Sequence, residues 1–323
     1  MTRNACSQGS HLMKKMILPA ALLILHSLVI AQPPGPKLEF LPDERVILIG
    51  GTLVEREQKF GFLESELILA AGEKHFIVRN LGWSGDTVFG HARSYFGPPQ
   101  EGLDRLGKHL EMLKPTLIIA CYGADLAFAS PSKIPGFIAG YGDLLDQARS
   151  KCPGVRFVII APPPMENLGP PLPDAGLANA NLATVRDALK EFAAKKSAHF
   201  VDGFALMGGA IKERPVHPLT DNGIHYGEDG YRLWAARIVE GLGLKRHEVP
   251  LREFTALRQE VIRKDFLFFN RWRPANETYL FGFRKHEQGK NGAEMQQFDP
   301  LVNEADQKIL ALKNRALAAL SLP

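Results

Sequence analysis

Cysteine is scarce in this sequence, which disfavours the kinds of protein that depend on it. Three cysteines occur among 323 residues, and Cys6 precedes the N-terminal apolar run described below. Cys121 lies in an apolar stretch typical of a buried strand, and Cys152 lies on a predicted turn. Two cysteines make neither a disulfide framework nor a metal site, and no Cys-x-x-Cys-His motif is present to attach a c-type haem. We predict no cofactor.

Net charge is also small. The formal net charge is +4 at neutral pH, and the first 31 residues contribute most of it through Arg3, Lys14 and Lys15. Because the rest of the chain is close to neutral, the charge balance gives no reason to expect nucleic acid or an acidic membrane surface as a partner.

One long apolar run occurs, and it lies near the N-terminus. A basic start, Met13-Lys-Lys-Met16, precedes an almost wholly apolar stretch from Ile17 to Ile30. Val29 and Ala31 are the small residues that a signal-peptide cleavage site requires. The run is shorter than the apolar stretch of about 20 residues that a transmembrane helix usually needs. We therefore expect residues 1–31 to be a leader and the protein to be secreted or periplasmic, with no stable membrane insertion after cleavage; an uncleaved anchor is the alternative.

After the leader, apolar strands alternate with helical patterns. This alternation predicts an α/β fold with a parallel sheet and helices on both faces. We assign this domain to residues 32–244. The predicted strands cover 45–50, 75–80, 116–121, 155–161 and 199–202, and the predicted helices cover about 54–71, 100–114, 132–150, 176–196 and 230–241.

The last part of the chain, residues 245–323, has a different pattern. Helical stretches are predicted at 251–269 and 302–320, and the second of these is amphipathic. The region between them is rich in aromatic residues and arginine without a clear period. Because this part lacks a strand set of its own, we expect a mainly helical C-terminal extension packed on the main domain.

Short polar blocks follow the predicted strands, and carboxyl ends of parallel strands share one edge of a sheet, where ligands bind. The four blocks, in chain order, resemble those of the SGNH (GDSL) hydrolase superfamily: Gly50-Gly51-Thr52, Asn80-Leu-Gly-Trp-Ser-Gly85-Asp86-Thr87, Tyr122-Gly-Ala-Asp125 and Asn222-Gly-Ile-His225. The resemblance covers residues 43–244. It implies a three-layer α/β/α, flavodoxin-like fold with a five-stranded parallel sheet.

The resemblance also implies a role for each block. Thr52 stands where the family has its serine nucleophile, Gly85 matches the oxyanion-hole glycine, and His225 matches the base. Asp125 stands where the family has an oxyanion-hole asparagine. Asn222 stands where the family has the acid that orients the base, with Asp221 immediately before it. The first and last blocks, the stretch Arg79-Asn-Leu-Gly-Trp-Ser84 and the tail from Phe268 to Gly289 resemble a secreted branch found in planctomycete and verrucomicrobial bacteria, and this resemblance suggests carbohydrate-linked roles.

These substitutions bear directly on the chemistry. An ionised Asp125 has no proton to donate to an oxyanion, and it would help only if burial kept it protonated. Asn222 could accept from the His225 ring through its oxygen but supplies no charge to an imidazolium. Thr52 could instead cap the first helix, and Asp125 could be an N-cap or an ion-pair partner. A metal site built on Asp125, Asp221 and His225 lacks ligand spacing.

Two functions therefore stay open at the level of sequence. One is an ester hydrolase acting on acylated carbohydrate, whose substrate is a small-molecule or glycan ester. The other is a catalytically inactive carbohydrate-binding or scaffold protein that retains the pocket.

Overall fold

Five parallel strands form the centre of the fold, in the spatial order β2-β1-β3-β4-β5. The computed structural model describes residues 37–213 and 217–321, so the leader predicted for residues 1–31 lies outside the described residues. The strands are β1 (Glu44–Gly50), β2 (Phe76–Asn80), β3 (Leu117–Cys121), β4 (Arg156–Ile160) and β5 (His199–Val201). The predicted parallel sheet is confirmed.

Helices connect the strands and continue beyond them. Within the described ranges, none is long and apolar enough to cross a membrane. The helices are α1 (Thr52–Glu57), α2 (Phe62–Ala70), α3 (Pro99–Leu113), α4 (Ile134–Lys151), α5 (Gly176–Lys195), α6 (Gly203–Lys212), α7 (Glu228–Gly241), α8 (Leu251–Trp272), α9 (Glu277–Leu280), α10 (Lys285–Gln288) and α11 (Phe298–Ala318).

Alternating side chains of β1 fill two hydrophobic cores, one on each face of the sheet. Val46 and Leu48 belong to the core beneath α2 and α7, which α8 and α11 of the C-terminal extension cover further. Ile47 and Ile49 point to the opposite face, into the core formed with α3, α4 and α5. The result is the expected three-layer α/β/α arrangement with a helical C-terminal extension.

The helices differ from the predicted ones at two places. The stretch predicted as one helix over 54–71 is two helices, because Gly61 adopts a left-handed conformation (φ +64°) between them. A Cβ there would lie only 3.0 Å from Ile262 of α8, so the glycine also permits close packing of the extension. Helix α6 was not predicted, since its glycines lower helix propensity; the Asp202 carboxylate caps it by accepting from the Ala205 amide at 2.8 Å.

A buried charge network joins the extension to the main domain. Lys264 of α8 is completely buried, and its Nζ donates to Glu64 of α2 at 2.8 Å and to Asp265 at 2.6 Å. The same ammonium donates to the Val78 carbonyl of β2 at 3.1 Å. Burying these charges is tolerable only because each is paired, so loss of one partner is expected to be strongly destabilising.

Glu57 lies beside this network, and its surroundings favour the protonated form of its carboxyl. Its side chain is buried, and one carboxyl oxygen accepts from the Leu63 amide at 2.6 Å. Burial, followed by the charges of Asp265 and Glu64, raises the pKa of Glu57 well above its ordinary value. The shift favours the neutral carboxyl in the folded protein.

Candidate active site

A cavity of about 240 Å³ opens at the carboxyl edge of the sheet. It is bounded by the segments that follow β1, β2, β3 and β4 and by the loop that precedes α7. Parallel strands place their carboxyl ends at one edge, which is why segments distant in sequence meet here. Four predicted site residues line this cavity: Thr52, Gly85, Asp125 and His225.

Thr52 is the first residue of α1, and its hydroxyl faces the turn that carries Gly85. The Gly85 amide donates to Thr52 Oγ1 at 3.3 Å. The alternative that Thr52 caps the helix is wrong, since Gly51 occupies the cap position and no side chain caps this helix. As the first helical residue, Thr52 has a backbone N–H with no acceptor within the helix. Two amides, those of Thr52 and Gly85, are thus available near one hydroxyl.

Gly85 lies in a tight turn that only glycine adopts readily. The turn runs from Trp83 to Asp86 and is closed by the Asp86 amide donating to the Trp83 carbonyl at 2.9 Å. Gly85 has φ +75°, a left-handed conformation that costs other residues about 1–2 kcal/mol. An added Cβ would meet nothing closer than 4.0 Å, so conformation rather than space selects glycine.

A buried polar network underlies this turn and was not predicted from the sequence. Arg93 Nε donates to Asp86 Oδ2 at 2.6 Å, and the Tyr122 hydroxyl donates to the same oxygen at 3.1 Å. Arg93 also donates to the Leu81 carbonyl at 2.7 Å. All of these side chains are buried. The network ties the segment after β2 to the end of β3 and so limits movement of the turn that carries Gly85.

The side-chain amide of Asn222 is turned the opposite way to the one predicted, since its nitrogen and not its oxygen faces the His225 ring. Asn222 Oδ1 accepts from the backbone amides of His225 at 2.9 Å and Ile224 at 3.2 Å. That leaves the amide nitrogen, Asn222 Nδ2, facing His225 Nδ1 at 3.2 Å. Because an amide nitrogen can only donate, a neutral ring accepts at Nδ1 and carries its proton on Nε2.

Asp221, the other predicted partner of the His225 ring, faces elsewhere. Its carboxylate lies 3.5 Å from Arg56 of α1, and its side chain is 68% exposed. Arg56 also donates to the Tyr226 carbonyl at 3.4 Å. Of the two residues predicted to orient the base, Asn222 alone contacts the ring, and Asp221 serves to connect the histidine loop to α1.

Glu166 braces the histidine loop from the Pro-rich segment after β4. Its carboxylate accepts from the Thr220 hydroxyl at 2.7 Å and from the amides of Thr220 and Leu219 at 2.9 and 3.2 Å. The Glu166 amide in turn donates to the Gly223 carbonyl at 2.9 Å. Nothing in the sequence pattern singles out this buried carboxylate, because its partners are about fifty residues away.

Asp125 lies on the rim of the cavity, in a short 3₁₀ turn (Ala124–Phe128) after β3. Both structural alternatives for it are wrong: Gly123 holds the N-cap position, and no cation lies within ion-pair distance of Asp125 among the described residues. Partial desolvation raises the pKa of Asp125, opposed by its own backbone amide and by His91. The shift is in the direction that favours a protonated, hydrogen-bond-donating carboxyl.

Cys121 also lines the cavity, but its thiol is unsuited to nucleophilic attack. Burial raises its pKa to about 12, and the thiolate is the reactive form. Its prediction as a small core residue is confirmed by its burial. Across residues 37–213 and 217–321, no group of three or more His, Cys, Asp or Glu side chains is arranged to hold a metal ion. Among the predicted site residues that line the cavity, Thr52 is the one that carries a hydroxyl.

Solved structures share this fold at low sequence identity. One is described as a GDSL-like lipase from Parabacteroides merdae, with 16% identity and a TM-score of 0.53, covering 65% of this chain and all of that one. Another is an acetylxylan esterase from Geobacillus stearothermophilus, a catalytic mutant, with 15% identity and a TM-score of 0.50, covering 64% of this chain and 98% of that one. At such identities the likeness shows the fold alone.

Comparison of sequences extends the assignment from fold to family. No curated protein sequence matches the chain. The family model described as GDSL-like Lipase/Acylhydrolase matches residues 61–233, which is more than half of the chain. The matched range includes Gly85, Asp125 and His225 but begins after Thr52. The chain belongs to the GDSL-like lipase/acylhydrolase family.

Proposed function

We propose that this chain hydrolyses esters of acylated carbohydrates or related small molecules, with Thr52 as nucleophile and His225 as base. The observation that carries the proposal is the Gly85 amide donating to Thr52 Oγ1 at 3.3 Å, in the cavity that His225 also lines. The acetylxylan esterase among the structural neighbours supports a carbohydrate ester as substrate. The leader expected at residues 1–31 supports a secreted or periplasmic location.

The proposed reaction has two stages, transfer of the acyl group to Thr52 and then hydrolysis of the acyl-threonine. As the Thr52 Oγ1–carbon bond forms, the hydroxyl proton passes to the His225 ring and the carbonyl electron pair moves onto oxygen. The amides of Gly85 and Thr52 donate to this oxyanion. Collapse of the intermediate breaks the bond to the alcohol, which takes the proton from the imidazolium. Water, deprotonated by the same ring, then attacks the acyl carbon; the Thr52 Oγ1–carbon bond breaks, Oγ1 takes the proton back from the ring, and the acid is released.

The geometry predicts a slow reaction. Among the described residues, no hydrogen bond joins the Thr52 hydroxyl to the His225 ring, so attack requires one of them to move. Asn222 also favours the ring tautomer that donates from Nε2, whereas a base must accept there. In serine proteases the equivalent change from carboxylate to amide lowers the rate by about 10⁴.

A second candidate function is carbohydrate binding without catalysis. The orientation of Asn222 and the carboxylate at Asp125 favour it, because each replaces a group that assists ester hydrolysis. In this case the cavity would hold a glycan, and neither Thr52 nor His225 would be needed for chemistry.

Turnover of p-nitrophenyl acetate separates these two functions. Wild type is compared with Thr52→Ala, His225→Ala and the matched variant Thr52→Ser, which retains the hydroxyl and removes the methyl. The hydrolase proposal expects loss of turnover in both alanine variants and retention or increase in Thr52→Ser. Equal residual rates in wild type and both alanine variants would refute it. Binding to a glycan array that survives both alanine changes would support the non-catalytic function.

A further inference from the structure

The turn that carries Gly85 is held by the first helix. Both carboxyl oxygens of Glu55 on α1 bind Ser84: Oε2 accepts from the Ser84 amide at 2.6 Å and Oε1 from its hydroxyl at 3.0 Å. Ser84 immediately precedes Gly85. The Gly85 amide that donates to Thr52 therefore follows a residue of the same turn that is fixed by two hydrogen bonds.

Glu55 is in turn held by the C-terminal extension. Arg273, the residue after α8, forms an ion pair with Glu55 through Nη1 and Oε2. The two side chains are 21% and 16% exposed, so solvent weakens this pair less than a surface pair. Because an ionised carboxylate is a stronger acceptor than a neutral one, the ion pair also supports the bonds that Glu55 makes to Ser84.

Arg273 contacts the same turn a second time, from the side of Trp83. Its guanidinium carbon lies 3.7 Å from the centre of the Trp83 ring, within the range of a cation–π contact. Trp272 adds an edge-to-face contact with Trp83 at 5.8 Å. A guanidinium can stack and form an ion pair at once because it is planar, which a lysine ammonium cannot do.

We propose that Arg273, acting through Glu55, is a positioning residue that directs the Gly85 amide toward Thr52 Oγ1. The C-terminal extension then contributes to the geometry of the active site, in addition to packing on the hydrophobic core. The catalytic consequence rests on the proposed function, whereas the positioning of the turn does not. Since a misplacement of about 1 Å at a reacting group costs on the order of 10² in rate, loss of Arg273 is expected to lower kcat by about tenfold to a hundredfold.

Two arginines of the extension make a matched comparison. Arg271→Ala is the control. Arg271 is 22% exposed and pairs with Asp299 of the extension at 2.8 and 3.2 Å. Among the described residues, it makes no hydrogen bond to the turn that carries Gly85. Full-length wild type, Arg273→Ala and Arg271→Ala are compared by melting temperature, by hydrogen exchange of the peptide that contains Ser84 and Gly85, and by kcat and KM for p-nitrophenyl acetate.

Arg273→Ala should accelerate exchange at Ser84 and Gly85 and lower kcat, with KM nearly unchanged, because an oxyanion donor acts in the transition state. Arg271→Ala should change neither quantity, even if it lowers the melting temperature as much. Equal exchange at Ser84 and Gly85 in the two variants would overturn the proposal. Absence of turnover in wild type would refute the proposed hydrolase function, while the exchange comparison would still decide the positioning claim.

Glu55→Gln tests the route through which Arg273 acts. Glutamine can still accept from Ser84 through one oxygen, but it loses the ion pair with Arg273. The double variant should accelerate exchange at Ser84 no more than Arg273→Ala alone, because both changes interrupt the chain of contacts through Glu55. Additive effects in the double variant would overturn the claim that Arg273 acts through Glu55.

Discussion

Replacing Asn222 by aspartate is expected to raise the rate of the ester hydrolysis proposed for this chain. In the wild type, Asn222 Nδ2 faces His225 Nδ1 at 3.2 Å and leaves the ring proton on Nε2. A carboxylate at this place can only accept, so it selects the tautomer with the proton on Nδ1 and frees Nε2 to receive the Thr52 proton. Aspartate also keeps an oxygen for the backbone amides that Asn222 Oδ1 now binds.

The size of the effect can be worked from the observed distance. Opposite unit charges 3.2 Å apart attract by about 1.3 kcal/mol at the dielectric constant of water and by about 5 kcal/mol at an effective value of about 20. These energies correspond to about tenfold and about 10⁴ in rate. Because Asn222 is exposed, we expect a gain of about tenfold to a hundredfold. The acidic limb of the pH–rate profile should also move to higher pH, since the carboxylate stabilises the protonated ring.

The assay is kcat/KM for p-nitrophenyl acetate between about pH 5 and pH 9, which covers the range where histidine titrates. Asp221→Asn is the comparison, because Asp221 pairs with Arg56 and its loss should leave the acidic limb in place. Nitrogen-15 NMR of the His225 ring reports its tautomer directly. An unchanged rate in an Asn222→Asp variant whose ring carries its proton on Nδ1 would refute the reasoning.

Three further changes have defined outcomes. Asp125→Asn places an N–H donor at the rim of the cavity, so kcat should rise, by at most about 10²–10³, and a decline caused by ionisation of Asp125 at higher pH should disappear. Esters with acyl chains longer than acetyl should gain up to about 0.8 kcal/mol, or about fourfold in kcat/KM, per methylene that packs against Phe128 and Leu182 in the cavity. Glu57→Gln should flatten the dependence of stability on pH. Because Glu57 keeps its proton when folded but ionises near its ordinary pKa of 4.5 when unfolded, wild type should lose up to about 1.4 kcal/mol per pH unit above that value through this residue. Exposed Glu73, changed to glutamine, is the control.

Each of these changes also has a contradicting result. An unchanged kcat in Asp125→Asn would place that side chain outside reach of the oxyanion. A preference for acetate over butyrate, measured on otherwise identical p-nitrophenyl esters, would mean that the acyl group does not enter the apolar part of the cavity. Urea-denaturation free energies that fall equally with pH in wild type and Glu57→Gln would mean that Glu57 is ionised in the folded protein.

The sheet could be predicted from the sequence because its strands are buried on both faces. Such strands consist of nearly continuous apolar residues, and all of the predicted strands appear within about two residues of their expected ends. The helical predictions were less complete where glycine was involved. Gly61 divides one predicted helix in two, because the extension packs against it, and α6 forms despite its glycines. Local propensity cannot reveal either outcome.

Only part of the site could be predicted from the sequence. Turn composition and block order were enough to place Thr52, Gly85, Asp125 and His225 around one cavity, because the carboxyl ends of parallel strands share one edge. The sequence did not indicate which way Asn222 points, whether Asp221 faces the ring, or that Arg273 reaches the turn that carries Gly85 through Glu55. Those outcomes depend on competition for hydrogen bonds among groups up to about two hundred residues apart, and only the folded chain brings these competitors together.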